Sequence, residues 1–395
     1  MTMADKILLI SPNAEMLDDK LAYPPLGLLY LAANLDRKLW KPKVKIMTDN
    51  KFTDYDYKYY GISVHSIAVV DTVRKLVSDI KSHNNHAQIF LGGAGAGLLD
   101  DQRNVLTYIG EVEKYLNIDT SNLDNIKFPA RELLPKKYIK YTGTVHHSTK
   151  PSTTMIATRG CVYNCAFCDR ETFGRRFRKR SIKNVCKEVK LLVDKYGIEH
   201  IRFCDDCVTL DRKWFMELCS NIAKYDITWT CMSRADLLDT EMLEYMKLAG
   251  CEEIFFGFES GSQKILKAMN KKETVQQYHD VIQKCRDAGI KSCAYIMFGF
   301  PGETEKTVEQ TIRFLETAKP DKSRLSEFVP FPGCDVWNNP SKYNVEIKND
   351  KGYWYYDNDE LSLRYKYISD DTMLSLRSRM RMYYLANYKQ GWANA

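Results

Sequence analysis

Between residues 151 and 335, six short apolar runs recur at intervals filled by helix-period segments, and this recurrence restricts the fold more than any other feature. The runs are "TMIATRG", "HIRFCDD", "ITWTCMS", "EIFFGFES", "KSCAYIMFGF" and "RLSEFVPF". Segments such as "NVCKEVKLLVDKYG" and "DTEMLEYMKLAG" lie between them. The second is expected to start at a cap on Asp239 or Thr240 and to stop at Gly250. Strands that alternate with helices form a parallel sheet. Six such units predict an open or partial (β/α)6 barrel whose site lies at the carboxyl ends of its strands.

A second alternating stretch occupies roughly residues 1–130. "KILLIS", "KVKIMT", "YYGISV" and "AQIFLGG" read as strands, and "PPLGLLYLAANLDR" and "AVVDTVRKLVSDIKSH" as helices. The expectation is a doubly wound, Rossmann-like parallel sheet that binds ligands at the carboxyl ends of its strands. Residues 131–150 read as a linker, 151–335 as the barrel, and 336–395 as a helical, aromatic-rich appendage containing "KGYWYYDND" and "MYYLANYKQGW". A helix is expected there from about Ser369–Asp371, carrying Met373, Leu376, Met380 and Tyr383. Packing over the barrel and gating of substrate are both open roles for it.

A chain of 395 residues suggests two or three domains. No run of about 18 apolar residues is present, so no membrane span is expected. The start "MTMADKILLISPN" lacks the pattern of a secretory signal, which implies a cytoplasmic protein. The charge of +7 is modest for this length. Its densest source, "GRRFRKRSIK" at 174–183, reads as a solvated basic loop, with phosphate or nucleic-acid contact as the alternative.

All twelve cysteines fall between Cys161 and Cys334. This fits reduced thiols and a ligand cluster better than a disulfide framework. "CVYNCAFC" sets Cys161, Cys165 and Cys168 at spacings of four and three. A redox dithiol leaves Cys161 unexplained, and a structural zinc site lacks an evident fourth ligand. Three thiolates on one short loop match an iron–sulfur cluster with one iron left open.

With Phe167 before its last cysteine, this run resembles the C-x3-C-x2-C signature of the radical S-adenosylmethionine (radical SAM) enzymes. "GRRFRKRS", "IRFCDDCVTLDRKW", "CMSRADLLDTEMLEYMKLAGC", "FFGFESGSQKIL", "YIMFGFPGET" and "FVPFPG" follow in the order usual for the branch that carries a cobalamin-binding-like front domain. "PPLGLLYLAANL", "GISV" and "FPARELLP" resemble that front domain. The resemblance implies a Rossmann-like sheet followed by a partial TIM-type barrel. It implies a 4Fe-4S cluster on Cys161, Cys165 and Cys168 that cleaves SAM reductively to a 5′-deoxyadenosyl radical, with a small-molecule substrate and an electron donor such as flavodoxin or ferredoxin.

For SAM, the resemblance implies Asp205 and Asp206 at the methionine amine, and Ser233 with Arg234, whose guanidinium could pair with the carboxylate. It implies Glu259 and Ser260 at the ribose hydroxyls, and backbone approach at Gly299 to Gly302. Each has a plainer reading as a cap or turn residue. Cys204 and Cys207 in "CDDC" suggest a second cluster, but buried apolar packing is the stronger reading. The single cysteines elsewhere read as packing too.

In front, the Asp-x-His-x-x-Gly motif of other cobalamin proteins is absent, and "TDNKFTDYDYKY" leaves little room for a helix. Ser63 and the pair Gly92–Gly93 remain as candidate contacts for a nucleotide tail, with His65 nearby as an ordinary loop histidine. Three functions stay open: cobalamin-dependent methyl transfer to an unactivated centre; a cobalamin-independent oxidation, elimination or rearrangement with the front domain as scaffold; and a non-enzymatic metal- or nucleic-acid-binding protein. A tRNA methylthiotransferase does not fit, because residues 1–160 contain no cysteine.

Overall fold

The structure is a computed structural model. It describes residues 5–13, 24–36, 39–47, 51–99, 105–135, 138, 149–169, 171–348 and 361–388. Most of the expected linker, and "KGYWYYDND", lie outside the described residues.

The front unit runs β1 (Asp5–Ser11), α1 (Leu26–Asn34), β2 (Trp40–Ile46), β3 (Tyr59–Ser63), α2 (Val70–His83), β4 (Gln88–Gly92), β5 (Val105–Tyr108) and a short turn of helix, α3 (Val112–Tyr115). Its five strands are parallel in the order β2-β1-β3-β4-β5. The sheet is therefore doubly wound, and its strand order reverses between β1 and β3. β5 was not legible among the apolar runs, because its four residues "VLTY" are only partly buried at the sheet edge. One face of the sheet packs on α2 through Val73, Leu76, Val77 and Ile80, and the other on α1 through Leu28, Leu29 and Ala32. As expected, no helix occupies residues 51–58.

The second unit begins with β6 (Ser152–Met155) and a two-residue ribbon, β7 (Thr158–Arg159) with β8 (Arg178–Lys179). It continues through α4 (Ile182–Tyr196), β9 (His200–Phe203), α5 (Arg212–Ile222), β10 (Thr228–Ser233), α6 (Thr240–Leu248), β11 (Cys251–Glu259), α7 (Gln263–Ala268), α8 (Val275–Asp287), β12 (Lys291–Phe298), α9 (Glu305–Ala318) and β13 (Lys322–Glu327). All six expected strands form, parallel and in sequential order β6-β9-β10-β11-β12-β13. Asp239 caps α6 by accepting from the Met242 amide at 2.8 Å. Gly250 follows with φ +90, and a Cβ there would lie 2.2 Å from the Ile227 carbonyl oxygen, so only glycine fits the turn.

Alternate strand residues go to opposite faces. Ile201, Phe203, Trp229, Cys231, Ile254, Phe256, Phe258, Ala294, Ile296 and Phe298 join the helices in one core. Their neighbours in sequence face the concave side.

The chain ends with α10 (Asp335–Asn338), a hairpin of β14 (Val345–Ile347) and β15 (Leu363–Tyr365), and α11 (Asp370–Asn387). Ser369 caps α11 as expected. Its buried side chains are Met373, Leu376, Arg377, Met380 and Tyr384, so Tyr384 takes the fully buried place expected for Tyr383. The Tyr384 hydroxyl lies 2.7 Å from the Ser323 hydroxyl. α11 therefore covers the convex side of β13 beside α9, where a sixth barrel helix belongs. This is packing on the barrel, not over its mouth.

Several contacts join the units, and two of them lie at the strand ends. Leu98, just beyond β4, clusters with Val329, Phe331 and Trp337, just beyond β13. Glu111 and Glu113, just beyond β5, meet Arg159 and Arg178 beside the cysteine loop. The carboxyl edges of the two sheets thus face each other. Among the described residues, no helix is long and apolar enough to cross a membrane.

Candidate active site

The cysteine loop follows β6 and β7 without regular secondary structure. It is pinned from two later segments. The Ala166 amide donates to the Met269 carbonyl at 2.8 Å, and the Asn270 side-chain amide donates to the Asn164 carbonyl at 2.7 Å. The Val336 amide donates to the Ala166 carbonyl at 3.3 Å. Cys165 is buried, and Cys161 and Cys168 are half-buried.

The surroundings of the loop are charged. The Arg234 guanidinium stacks 3.6 Å from the centre of the Tyr163 ring. Lys271, only 6 % exposed, sits 3.3 Å from Glu273 and 3.9 Å from Glu259. Burial pushes the thiols of Cys161 and Cys165 up, and Arg234 and Lys271 pull against it. Burial opposes the charge on Lys271, but Glu259 and Glu273 outweigh it and hold its pKa above the ordinary value. Among the described residues, no trio of His, Cys, Asp or Glu is placed to hold a single metal ion. The donor set, three thiols on one loop beside two cations, suits a cluster with a net negative thiolate shell. When bound, such a cluster supplies one-electron reduction.

The sequence-derived SAM residues divide on the structure. Asp206, exposed at the loop, accepts from the Gly160 amide at 3.0 Å. Glu259 is held at φ +64, a backbone conformation costly for a residue with a Cβ. Its carboxylate fills space that Gly257 leaves, where a Cβ would lie 2.4 Å from Oε1. Burial pushes Glu259 up to about 7.

Other candidates have their polar atoms taken. One oxygen of Asp205 accepts from the Ala157 amide at 3.0 Å and from the Thr158 hydroxyl at 2.6 Å, which fastens β9 to the base of the cysteine loop. Its other oxygen is buried without a hydrogen-bond partner. Ser233 pairs with the Thr209 hydroxyl at 2.8 Å. Ser260 is 1 % exposed, lies 3.2 Å from Thr311 and accepts from the Ser262 amide, so its hydroxyl is engaged within the turn. Arg234 is held bidentate by Asp236 at 2.9 and 2.8 Å, and its pairing with a substrate carboxylate would have to break that fork. Phe167 packs against the core.

In the "GFPG" turn, the Gly302 amide donates to the Tyr367 hydroxyl at 2.6 Å, and the Gly299 carbonyl accepts from Tyr365. The C-terminal hairpin therefore occupies backbone groups assigned to SAM. Glu303 closes the turn, accepting from the Gly299 amide at 2.9 Å and the Thr307 hydroxyl at 3.2 Å. Burial pushes its carboxyl up to about 7. The folded state then keeps a proton that the unfolded chain releases near the ordinary value of 4.5. Stability from this group is therefore full below about 4.5 and falls as pH rises through about 7. Glu303→Gln is expected to gain on the parent by about 3 kcal/mol across that window. Melting curves of both proteins from pH 5 to 8 check it, and a constant difference contradicts it.

Lys271, Glu273 and Tyr163 were missed in the sequence. Lys271 and Glu273 lie in "MNKKET", which carries only the signal of a charged turn, although Asn270 and Lys272 both have positive φ. Cys207 is buried against Thr209, as its apolar reading required, while Cys204 is half-buried and lines the concave face. The remaining single cysteines are buried.

The basic run needs correction. Arg178 and Arg180 are 8 % and 5 % exposed, not solvated. Arg178 donates to Glu111 at 2.7 and 2.9 Å, and Arg180 to Glu188 at 2.6 Å. Glu188 also takes Arg131, at 3.2 Å. These two arginines form an internal ionic seam, with Glu111 brought by the front unit and Glu188 by α4, while Arg175, Arg176, Lys179 and Lys183 are exposed as expected. A cleft of about 530 Å³ opens beside the seam, lined by Lys114, Asp119, Thr120, Phe173 and Arg176 among others, and none of the cofactor candidates lines it.

In the front unit, Gly93 has φ +113, and a Cβ there would lie 2.7 Å from the Val64 carbonyl oxygen. The protein's own backbone therefore uses its missing side chain. At Gly92 the nearest atom to a Cβ is 3.7 Å away, so that position is open. His65 is exposed beyond β3, while His83 stacks on Tyr55 at 4.0 Å at the far end of α2.

A parallel half-barrel with three thiols on the loop after its first strand is the arrangement that the sequence resemblance implied for the barrel, and the comparisons match that part of the chain. Residues 155–315 match the Radical SAM superfamily, and the chain is an enzyme. An uncharacterized methyltransferase of Pyrococcus horikoshii is 29% identical over 389 residues, covering 84% of this chain and 82% of that one. The bacteriochlorophyllide d C-12(1)-methyltransferase of Chlorobaculum tepidum is 34% identical over 184 residues, 45% of this chain and 40% of that one. Among solved structures, the radical SAM methyltransferase TsrM of Kitasatospora setae, with cobalamin and a 4Fe-4S cluster bound, superposes with a TM-score of 0.69 at 15% identity. The match covers 89% of this chain and 82% of TsrM. The cobalamin-dependent radical SAM enzyme OxsB, with aqua-cobalamin bound, gives 0.63 at 18% identity over 86% of this chain and 56% of that one. These structures share the fold of both units.

Proposed function

We propose that this chain is a cobalamin-dependent radical SAM methyltransferase acting on a small molecule. One observation carries the reading: the carboxyl edges of the two parallel sheets face each other. A ligand at the β1/β3 switch point and a ligand on the cysteine loop would then share one space. The printed names of the relatives support it, since several are methyltransferases and both structural neighbours hold cobalamin. When bound, SAM on the cluster would supply the 5′-deoxyadenosyl radical, and cobalamin a transferable methyl group.

Cys161, Cys165 and Cys168 would hold the cluster. Asp206 and Glu259 are the carboxylates open to receive the amine and ribose of SAM. Lys271 is better placed than Arg234 for its carboxylate, since Lys271 meets its carboxylates at longer range than the Arg234–Asp236 fork. In front, Ser63 and Gly92 suit a nucleotide tail, with Gly93 shaping the turn. The division at about residues 130, 150 and 335 fits the two sheets. A flavodoxin or ferredoxin would supply electrons in the cytoplasm, where the twelve thiols, none of them in a disulfide, stay reduced. Arg178 and Arg180 are held by carboxylates and are not offered to nucleic acid.

The test is anaerobic reconstitution with SAM, reductant and hydroxocobalamin. S-adenosylhomocysteine together with 5′-deoxyadenosine supports methyl transfer. 5′-Deoxyadenosine alone, with no retained cobalamin, supports the cobalamin-independent reading. Retained cobalamin is expected to show no protein nitrogen on cobalt, because His65 follows the third strand and not the first. A histidine superhyperfine pattern in the cobalt(II) EPR spectrum contradicts that.

A further inference from the structure

A line of alternating charges runs beside the cysteine loop. Asp236 grips Arg234 at 2.9 and 2.8 Å, and Arg234 lies 3.4 Å from Glu273. Glu273 lies 3.3 Å from Lys271, and Lys271 lies 3.9 Å from Glu259. Glu273 is the middle member and meets both cations. It is 2 % exposed. One of its carboxylate oxygens accepts from the Ala235 amide at 2.8 Å, which anchors it to the segment after β10. The other makes no hydrogen bond and is shared between the guanidinium and the ammonium.

These charges are fixed relative to the thiols. The turn that carries Glu273 is the one that pins the cysteine loop at Asn164 and Ala166. Arg234 donates to the Lys271 carbonyl at 3.0 Å and stacks on Tyr163 of the loop. The charges of Arg234 and Lys271 both reach Cys161 and Cys165, where they favour the ionised thiol. A thiolate shell would by itself serve both cations as a counter-ion. Burying Glu273 between them carries a desolvation cost, and its effect at the loop is to cancel part of their field.

We infer that Glu273 is a positioning residue that sets the reduction potential of the cluster: it fixes Arg234 and Lys271 beside the loop and offsets their charge, which keeps the potential low. A strong reductant is what one-electron cleavage of a sulfonium demands. The inference rests on the proposed reading, because it takes Cys161, Cys165 and Cys168 as the cluster ligands.

The test is an anaerobic redox titration of the full reconstituted chain without SAM, read by EPR of the reduced cluster. In Glu273→Gln, Arg234 keeps Asp236 and Lys271 keeps Glu259, so both stay charged. One negative charge fewer should raise the ratio of reduced to oxidised cluster about tenfold at a fixed solution potential, a midpoint about 59 mV more positive. Glu273→Asp keeps the charge and should stay within about twofold of the parent ratio. An unmoved or lower midpoint in Glu273→Gln overturns the inference. So does a Glu273→Asp midpoint shifted as far as that of Glu273→Gln. Loss of the cluster from Glu273→Gln shows a structural role and overturns it too. A parent chain that binds no cluster sinks the proposed reading as well, whereas the other outcomes bear on Glu273 alone.

Discussion

Cys165→Ala, reconstituted anaerobically beside the parent, is expected to hold no stable cluster and to release no 5′-deoxyadenosine from SAM. The loop keeps its shape without the thiol, since the hydrogen bonds at Asn164 and Ala166 are made by backbone groups. What is lost is one of three ligands, and two thiols of one loop do not retain a four-iron cluster with an open site. The expected fold stability is near that of the parent, because a thiol and a methyl fill the buried position similarly. Cys204→Ala with Cys207→Ala is the control. Cys207 is buried against Thr209 and Cys204 faces the lumen, so neither stands on the cysteine loop. That double variant should keep about four irons per chain. Loss of half the parent's iron in it would reveal a second cluster.

Much of the fold was legible, for a reason the barrel makes plain. Its strands are covered by helices on one side, so apolar residues recur along them and the runs stand out. Asp239, Gly250 and Ser369 were legible because caps and left-handed turns are local chemistry. β5 was not, since an edge strand carrying "VLTY" buries too little to give a pattern. In the site, the gathering of three cysteines on one loop was legible from their spacing. The status of Arg234 and Ser260 was not, because it depends on Asp236 and Thr311, and nothing in "SRAD" or "ESGS" reports whether a side chain is already engaged. Lys271 was hidden for the converse reason. A lysine in a charged turn reads as surface until two glutamates and a neighbouring helix enclose it.

The same limit explains the basic run, and leads to the second large effect. Two arginines of "GRRFRKRS" are buried because carboxylates from elsewhere in the chain meet them, Glu111 from the front unit at Arg178 and Glu188 of α4 at Arg180. Glu111 is 2 % exposed and takes Arg159 at 2.9 Å, Arg178 at 2.7 Å and Lys114 at 3.0 Å. Burial alone would raise its pKa, but these three cations hold it below the ordinary value, so it is ionised at neutral pH. Glu111→Ala leaves Arg178 with neutral acceptors, Thr120 and Phe173, and Arg159 with Glu113. Stranding a buried guanidinium costs about 3–5 kcal/mol, which lowers the melting transition by roughly 5 °C for a chain of this size. The loss should be concentrated at the seam, so limited proteolysis should cut between the units before it cuts the barrel. Arg178→Met in the Glu111→Ala background should recover part of the loss, because it removes the stranded charge. If Glu111→Ala melts with the parent and resists protease equally, the seam is not what holds the two carboxyl edges together. The apolar contacts at Leu98 with Val329, Phe331 and Trp337 and at Ile156 with Leu26, Tyr30 and Ile126, and the Arg131–Glu188 pair, would then hold them.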